Sequence, residues 1–585
     1  MVPRLATFAV DKGFWYSIPD HLADSVELGR IVRVPLSGRR TRGYVVEVVE
    51  ERPGPLKAIA GTSGDYPVFD AKLLQALIWA AHHYVAPLSV MLDRTAPPNL
   101  PRVATEPKLE RVAEASANHP LMAVARQAAA GKRRPVSAIV ARSGPEDWLP
   151  LIAPVLANSR SVMVVVSTAA EATALYDLAR RLFGVRAVQA SGDVDRELTL
   201  AWVAAQGPGR VIIGTPRIAA WQFPRLSLSV VLEEGRRAMK DRQTPTIHVR
   251  ELLIQRARLE GFSLAFMGPT PSLEVLAAGA EVARVGRRAW SLVEVVDRRE
   301  EPPGAGYLSE RALAALRGIR RGGGRSLVFT HRRLGDESMR CTNCRAVRIC
   351  GVCGSRLGRA SSCRRCGEEA GKCRRCSSDS FESMGTVPER LASAINRAFG
   401  ETVAGSGSTS LPVSVGSESD LAGLGRFDLA VVADADGLIH AQHFRAGEEA
   451  LRILGRLGNA VATGSGKRLM IQTSMPDSDV ISTMRSGDPI PYLERLLVER
   501  ARDRLPPAEA MMAVELRGVV EASDATAALH LDGVTSVLGP AEVEQGQRWL
   551  LQGDLRRAKI ELRSLVQTWR DRGVTVRLDA DPIDL

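Results

Sequence analysis

The chain has 585 residues, 45% of them hydrophobic and 25% charged, a composition ordinary for soluble globular proteins and ample for burying several cores. Its net charge of +12 favours a polyanionic partner, nucleic acid over membrane. Apolar runs such as "SVMVVVS" at 161–167 are far too short to span a bilayer, and the N-terminus lacks the basic-then-apolar pattern of a signal peptide, so a cytoplasmic protein with reduced thiols is expected.

Residues 1–100 read as a first, β-rich unit. Alternation in "GRIVRVPLSGRRTRGYVVEVVE" (29–50) predicts a β-hairpin with a basic turn at Arg39, Arg40 and Arg42, and 70–92 reads as helical. "RTAPPNLPR" opens a linker taken as 101–137. From 138 to 310, the strands "SAIVAR", "SVMVVVS", "RVIIGT", "LSVVLEE" and "SLAFMG" alternate with helical stretches, the pattern of βαβ units on a parallel sheet. A second such set spans 311–505, from "RSLVFTH" through "LPVSVGS" and "FDLAVVADAD" to "KRLMIQT". "RLPPAEAM" then opens an α+β segment, 506–585.

All eight cysteines lie within 341–376, as four C-x-x-C pairs: Cys341/Cys344, Cys350/Cys353, Cys363/Cys366 and Cys373/Cys376. One tight turn can aim two sulfurs at one ion, and two such turns complete a tetrahedral zinc site, so the segment 340–377 is expected to hold two Zn²⁺. Adjacent and nested pairing both satisfy the count. Residues 340–376 carry nine Arg and one Lys against Glu368 and Glu369, a net +8. Two thiolate-bound zinc sites would leave about +4, which either offsets thiolate charge or contacts phosphate.

Two α/β lobes in succession raise the question of a nucleotide. A P-loop needs G-x-x-x-x-G-K-[ST] after the first strand, so that backbone N–H groups and Lys hold phosphates while the hydroxyl holds Mg²⁺. The chain reads "AIVARSGPEDWL" (138–149), with Pro145 and Glu146 at the Lys and Thr positions. Proline removes one N–H and the carboxylate repels phosphate, so ATP is not expected as a cofactor. Later, "SVVLEEGRR" places Leu232 where a strand-ending Asp belongs, followed by Glu233 and Glu234. "GSGKR" at 464–468 has Val461 and Arg468 at the defining positions and reads as an ordinary turn.

With these features in order, the chain resembles the PriA replication-restart family (primosomal protein N′). The stretches that carry the resemblance are "FWYSIPDHLADSVELGRIVRVPLSGRRTRGYVVEV", "RVIIGTPRIAAWQFPRLSLSVVLEE", "TPTIHVRELLIQRARLEGFSLAFMGPTPSLE", "RSLVFTHRRLGDESMRCTNC" and "DADGLIHAQHFRAGEEALRIL". It implies two RecA-like helicase lobes with a double-zinc insertion, an N-terminal domain that binds a DNA 3′ end, and a C-terminal α+β domain. It also implies nested zinc sets: Cys341, Cys344, Cys373 and Cys376 on one ion, and Cys350, Cys353, Cys363 and Cys366 on the other. Phe14, Tyr16 and Lys57 match the family's 3′-end pocket, with Trp15 in place of an Asp, and Arg39, Arg40 and Arg42 suit phosphate contacts. Trp79, Arg548 and Gln552 resemble its site for the acidic tail of single-stranded-DNA-binding protein, with His83 in place of a Tyr.

The departures lie in the motor. Besides Pro145, Glu146 and "LEEG" (232–235), the last helicase motif keeps Arg456 but has Asn459 for its second arginine, and the motif near 416–428 is short. Only 36 residues (102–137) stand where the family has a winged-helix domain, which is therefore expected to be absent. The expectation is a monomeric fork-binding restart factor that no longer unwinds. Its expected partners are forked and single-stranded DNA, single-stranded-DNA-binding protein, and primosome or helicase-loading proteins. The competing readings are a weak DNA-dependent ATPase and helicase using Glu233 and Glu234, and a zinc-stabilised scaffold with nonspecific DNA affinity.

Overall fold

A computed structural model describes residues 1–50, 54–98, 100, 109, 112, 117–132, 136–142, 144–192, 194–299, 301, 306–331, 338–344, 346, 348–351, 357, 362, 368–384, 388–407, 410–421, 426–441, 443–543 and 546–583. They fall into two compact units, 1–285 together with 493–585, and 286–492.

The first unit opens with strands β1 (Val2–Pro3), β2 (Ile31–Leu36), β3 (Arg39–Tyr44) and β4 (Gly61–Thr62), an antiparallel sheet in the order β1-β3-β2-β4. The β2–β3 hairpin closes through Ser37 and Gly38, both at positive φ (48° and 77°), as a two-residue turn requires to match strand twist. Val32 and Val34 point inward onto Val26, Val45 and Ile59. Seven parallel strands follow: β5 (Ser137–Ala141), β6 (Ser161–Val165), β7 (Ala187–Ala190), β8 (Val211–Gly214), β9 (Leu226–Leu232), β10 (Ser263–Gly268) and β11 (Glu281–Val285). Their order is β11-β5-β10-β9-β6-β8-β7. Strands β5, β6 and β8 are buried along their whole length and β9 and β10 over all but their ends, which is why they read as continuous apolar runs.

The second unit holds β12 (Val293–Asp297), β13 (Ser326–Phe329), an antiparallel ribbon of β14 (Ser338–Cys341) and β15 (Phe381–Met384), then β16 (Ala404–Ser406), β17 (Val413–Gly416), β18 (Leu429–Val432) and β19 (Arg468–Thr473). Its parallel sheet runs β12-β19-β18-β13-β17-β16. The C-terminal segment returns to the first unit as an antiparallel sheet of β20 (Ala510–Arg517), β21 (Val534–Val543), β22 (Gly546–Gly553) and β23 (Thr575–Ala580), ordered β21-β22-β20-β23.

Three joins differ from the boundaries read along the chain. β12 lies inside the span read as the first lobe, yet it pairs with β19 of the second sheet. The span read as a linker contains a helix, Pro120–Ala129, whose Leu121, Met122, Val124, Ala125 and Ala128 pack with Ile139, Val162 and Ile213. The C-terminal segment is no separate appendage: Leu562, Val566 and Trp569 share one core with Leu73 and Leu77 of the N-terminal helix and Leu252 of the first lobe. Local periodicity specifies an element, whereas its partner is set by long-range packing. Among the described residues, no helix is long and apolar enough to cross a membrane.

Candidate metal centre and DNA-facing surface

The ribbon β14–β15 brings the outer cysteine pairs together. Cys341 ends β14 opposite Phe381, and its N–H donates to Ala346 O (2.8 Å), which closes a knuckle at Cys341–Cys344. The N–H of Cys373 donates to Ser378 O (2.8 Å) and that of Ser377 to Cys373 O (2.8 Å), closing the second. The sulfurs of Cys341, Cys344, Cys373 and Cys376 all lie within 4.8 Å of one another, and Cys341–Cys376 and Cys344–Cys373 are each 3.4 Å apart. Zinc–sulfur bonds of about 2.3 Å at tetrahedral angles place sulfurs about 3.8 Å apart, so the set fits such an ion.

Its electrostatics point the same way. The Cys344 N–H, with that of Asn343 further along, pulls the Cys341 thiol down to about 6 against the cost of burying it. The Arg375 N–H lowers Cys373. At Cys344 the Ala346 N–H favours the thiolate, but desolvation and the three neighbouring sulfurs push it up to about 12. An ion bound among the four sulfurs would offset their mutual repulsion, and the set can hold one. Of the inner set, Cys350 is buried beside Leu357 and Ala370, while Cys353, Cys363 and Cys366 lie outside the described residues.

At the carboxyl ends of the first sheet, charged groups partner one another. After β5 a four-residue helix, Pro145–Trp148, begins at Gly144, whose N–H donates to the Asp147 carboxylate (2.9 Å). β9 ends in Leu232; Glu233 bends away at φ 48°, with Arg236 3.6 Å from its carboxylate and Glu171 2.6 Å from the same guanidinium. Glu234 is 2% exposed, accepts from the Ser272 N–H (2.8 Å) and pairs with Arg250 (3.3 Å). Burial raises the Glu234 carboxyl against the pull of Arg250. Arg250 loses solvation, but Glu274, Glu251 and Glu234 hold its charge firmly in place.

The second unit repeats the theme. Arg456, on the helix Ala446–Ala460, donates to Glu418 through its carbonyl and its carboxylate (3.3 Å each), and Arg452 pairs with the same carboxylate (2.6 Å). Asn459 Oδ1 is buried with no hydrogen-bond donor among the described residues.

In the N-terminal domain, the 16–18 segment runs beside 57–59: the Ser17 N–H donates to Lys57 O and the Ile59 N–H to Ser17 O (3.0 Å each). This places Tyr16 and Lys57 on neighbouring segments. Tyr16 is half-buried against the Val32–Val34 cluster and its hydroxyl donates to Pro35 O (3.1 Å), opposite Arg40 across the hairpin. Phe14 is exposed, and Arg39, Arg40 and Lys57 are exposed with it. Arg42 lies at Pro98, donating to its carbonyl (3.2 Å).

Trp79 stacks on His83 with ring centroids 4.8 Å apart. His83 also meets Asp581 (2.9 Å) and the Lys559 ammonium (3.3 Å). Arg548 and Gln552 lie on the face of β22 opposite the core residues Trp549 and Leu551, where Arg548 pairs with Glu515 (3.1 Å) and Gln552 with Glu509 (3.3 Å). The cation at His83 of this stack is therefore Lys559, from the helix Leu555–Asp571. Only the register of the C-terminal helix against the N-terminal one reveals it.

Residues 3–97 match the family model of the 3′ DNA-binding domain of PriA. The replication restart protein PriA of Treponema pallidum is 25% identical, over 84% of this chain and 82% of its own. The probable replication restart protein PriA of Deinococcus radiodurans is 26% identical, over 59% of this chain and 41% of its own. The chain is thus similar to PriA over most of its length.

The PriA domain match contains Phe14, Tyr16, Arg39, Arg40, Arg42, Lys57 and Trp79. Among solved structures, the DUF1998 helicase MrfA bound to DNA is 9% identical, over 67% of this chain and 52% of its own, at a TM-score of 0.36. A DEAD box protein from Methanococcus jannaschii is 11% identical, over 64% of this chain and 89% of its own, at a TM-score of 0.30. The two parallel sheets have the strand orders given above, and the outer cysteines can hold a metal ion.

Proposed function

We propose that this chain is a replication-restart factor that recognises forked DNA and promotes loading of the replicative helicase without ATP-driven unwinding of its own. The observation that carries the reading is the joining of a PriA 3′ DNA-binding domain to a first lobe whose Asp147 and Glu234 carboxylates are already held by Gly144 and Arg250. A phosphate would have to displace Asp147 from the helix start, and Pro145 offers no N–H in its place. Exposed Phe14 can stack on a base near a 3′ end while Arg39, Arg40 and Lys57 hold phosphates. Tyr16 has a supporting part, since its hydroxyl is bonded to the hairpin backbone.

Two Zn²⁺ per chain are proposed to hold the cysteine module, the outer one on Cys341, Cys344, Cys373 and Cys376. The Trp79–His83 stack, with Lys559 beside it, is proposed to receive the acidic tail of single-stranded-DNA-binding protein; Arg548 and Gln552 lie on another face. The test is equilibrium binding of the full chain to a synthetic fork with a 3′ end at the branch, against a blunt duplex and a single strand of equal length. Fork selectivity that falls in a Phe14→Ala/Lys57→Ala variant supports the reading. Equal affinity for all three substrates would leave a nonspecific scaffold.

A further inference from the structure

In a parallel α/β sheet, helices end and strands begin at one edge, and helix C-termini leave partial negative charge there. Some cations at that edge are therefore ordinary. The first sheet shows the ordinary case: Arg186 and Arg210, just before β7 and β8, are 7% and 3% exposed and donate to backbone carbonyls, Arg186 to Gly209 O (3.0 Å) and Arg210 to Val185 O (2.9 Å).

The same edge also carries Arg160 before β6, half-buried, and Arg180, Arg181 and Arg225, exposed, and the second sheet has a comparable set. Arg317, Arg320 and Arg321 occupy the last two turns of the helix Glu310–Arg321, Arg325 precedes β13, Arg426 precedes β18 and Lys467 precedes β19. These three strands are adjacent in the sheet, so their starts form one row about 10 Å wide at ordinary strand spacing. Arg321 and Arg426 are exposed and the other four are half-buried. Among the described residues, Glu310 lies 2.8 Å from Arg317, Glu401 2.5 Å from Arg320 and Asp428 2.9 Å from Lys467, with Asp428 also accepting from the Arg325 N–H (2.8 Å) and the Arg325 guanidinium 5.3 Å from the Phe427 ring centroid. Surface ion pairs of this kind are weak and exchangeable, so a phosphate can take the place of a carboxylate. The Arg317 and Arg320 guanidiniums also lie 5.5 and 5.9 Å from the Phe399 ring centroid, which orders them in advance of any ligand.

We propose that this edge of the second sheet is a further DNA contact, holding the phosphate backbone of a duplex arm without reading its sequence. The proposal rests on the fork-binding reading above, and gives the second lobe a task separate from 3′-end recognition. Three phosphate contacts contribute a slope of about −2.7 to the dependence of log K on log salt. Raising salt from 50 to 200 mM would then weaken the unaltered chain about 40-fold more than a chain lacking those contacts.

The experiment measures binding of the full chain to a fork with two duplex arms across that salt range. The unaltered protein is compared with Arg320→Ala/Arg321→Ala/Lys467→Ala and with a milder variant, Arg426→Gln/Lys467→Gln. Expected are a shallower salt slope in both variants, larger in the triple, and unchanged affinity for a short single strand with a free 3′ end. An unchanged slope in both variants would overturn the proposal and leave the cations as complements to helix ends. Loss of single-strand affinity equal to that for the fork would also overturn it. Absence of fork binding by the unaltered protein would instead sink the restart reading. Competition by a polyglutamate peptide as effective as DNA would reassign the edge to an acidic protein and count against duplex binding.

Discussion

The knuckle at Cys341–Cys344 and the turn after β5 are both short loops whose backbone N–H groups can steady negative charge. In the knuckle, the N–H groups of Asn343 and Cys344 favour the Cys341 thiolate, and three further sulfurs converge on the same point. The chain supplies no partner within the sulfur set itself, and the set can hold a metal ion. In the turn, the Gly144 N–H is given to Asp147 of the same helix and Pro145 has none to give. Loop shape alone is thus no guide to a ligand. What decides is whether the chain has already supplied the partner.

Breaking the knuckle has the largest expected effect. Structural zinc in small modules contributes roughly 10–16 kcal/mol of apparent binding energy at pH 7. A Cys341→Ser/Cys344→Ser chain should lose about one zinc by elemental analysis, and its 340–377 segment should become sensitive to limited proteolysis. Two zincs retained would refute the pairing of outer cysteines.

On the first lobe, removing a supplied partner tests the other half of the contrast. Arg250→Leu leaves Glu234 buried and uncompensated, a loss of about 3–5 kcal/mol by denaturant unfolding, and adding Glu234→Leu should recover most of it. If Arg250→Leu were neutral, Glu234 would not be tied to structure and a metal role would reopen.

An intermediate effect is expected at Asp581. Burial pushes its carboxyl up, but the His83 hydrogen bond and the charges of His83, Lys559 and Lys240 hold it below the usual range. Stability from this group is therefore present above the unfolded value of about 3.9 and lost as pH falls toward the folded one. Asp581→Asn should cost about 2 kcal/mol at neutral pH and flatten the loss of stability below pH ~4. A variant with the wild-type acid slope would contradict it. The smallest effect belongs to Asp147→Ala, which frees the Gly144 N–H at a cost of about 1 kcal/mol.

How much of this was legible in the sequence follows from range. The parallel strands show as apolar runs and the cysteines as paired turns, because a few neighbouring residues specify each. The vacancies of the motor were equally local, since Pro145, Leu232 and Asn459 stand at defined positions in their motifs. The partners that fill them were not: Arg250 is 16 residues from Glu234, and Glu418 is 34 from Arg452. The pairing of β12 with β19 and the meeting of His83 with Lys559 depend on packing across more than a hundred residues, to which a local pattern is blind.

The most direct measurement is ATP hydrolysis by the full chain, with and without a synthetic fork, alongside fork affinity with and without Mg-ATP. The internally partnered first lobe predicts no fork-stimulated turnover and a fork affinity that ATP does not change. Fork-stimulated turnover that disappears in Glu233→Gln would contradict it, and would return the chain to the ATP-driven helicases.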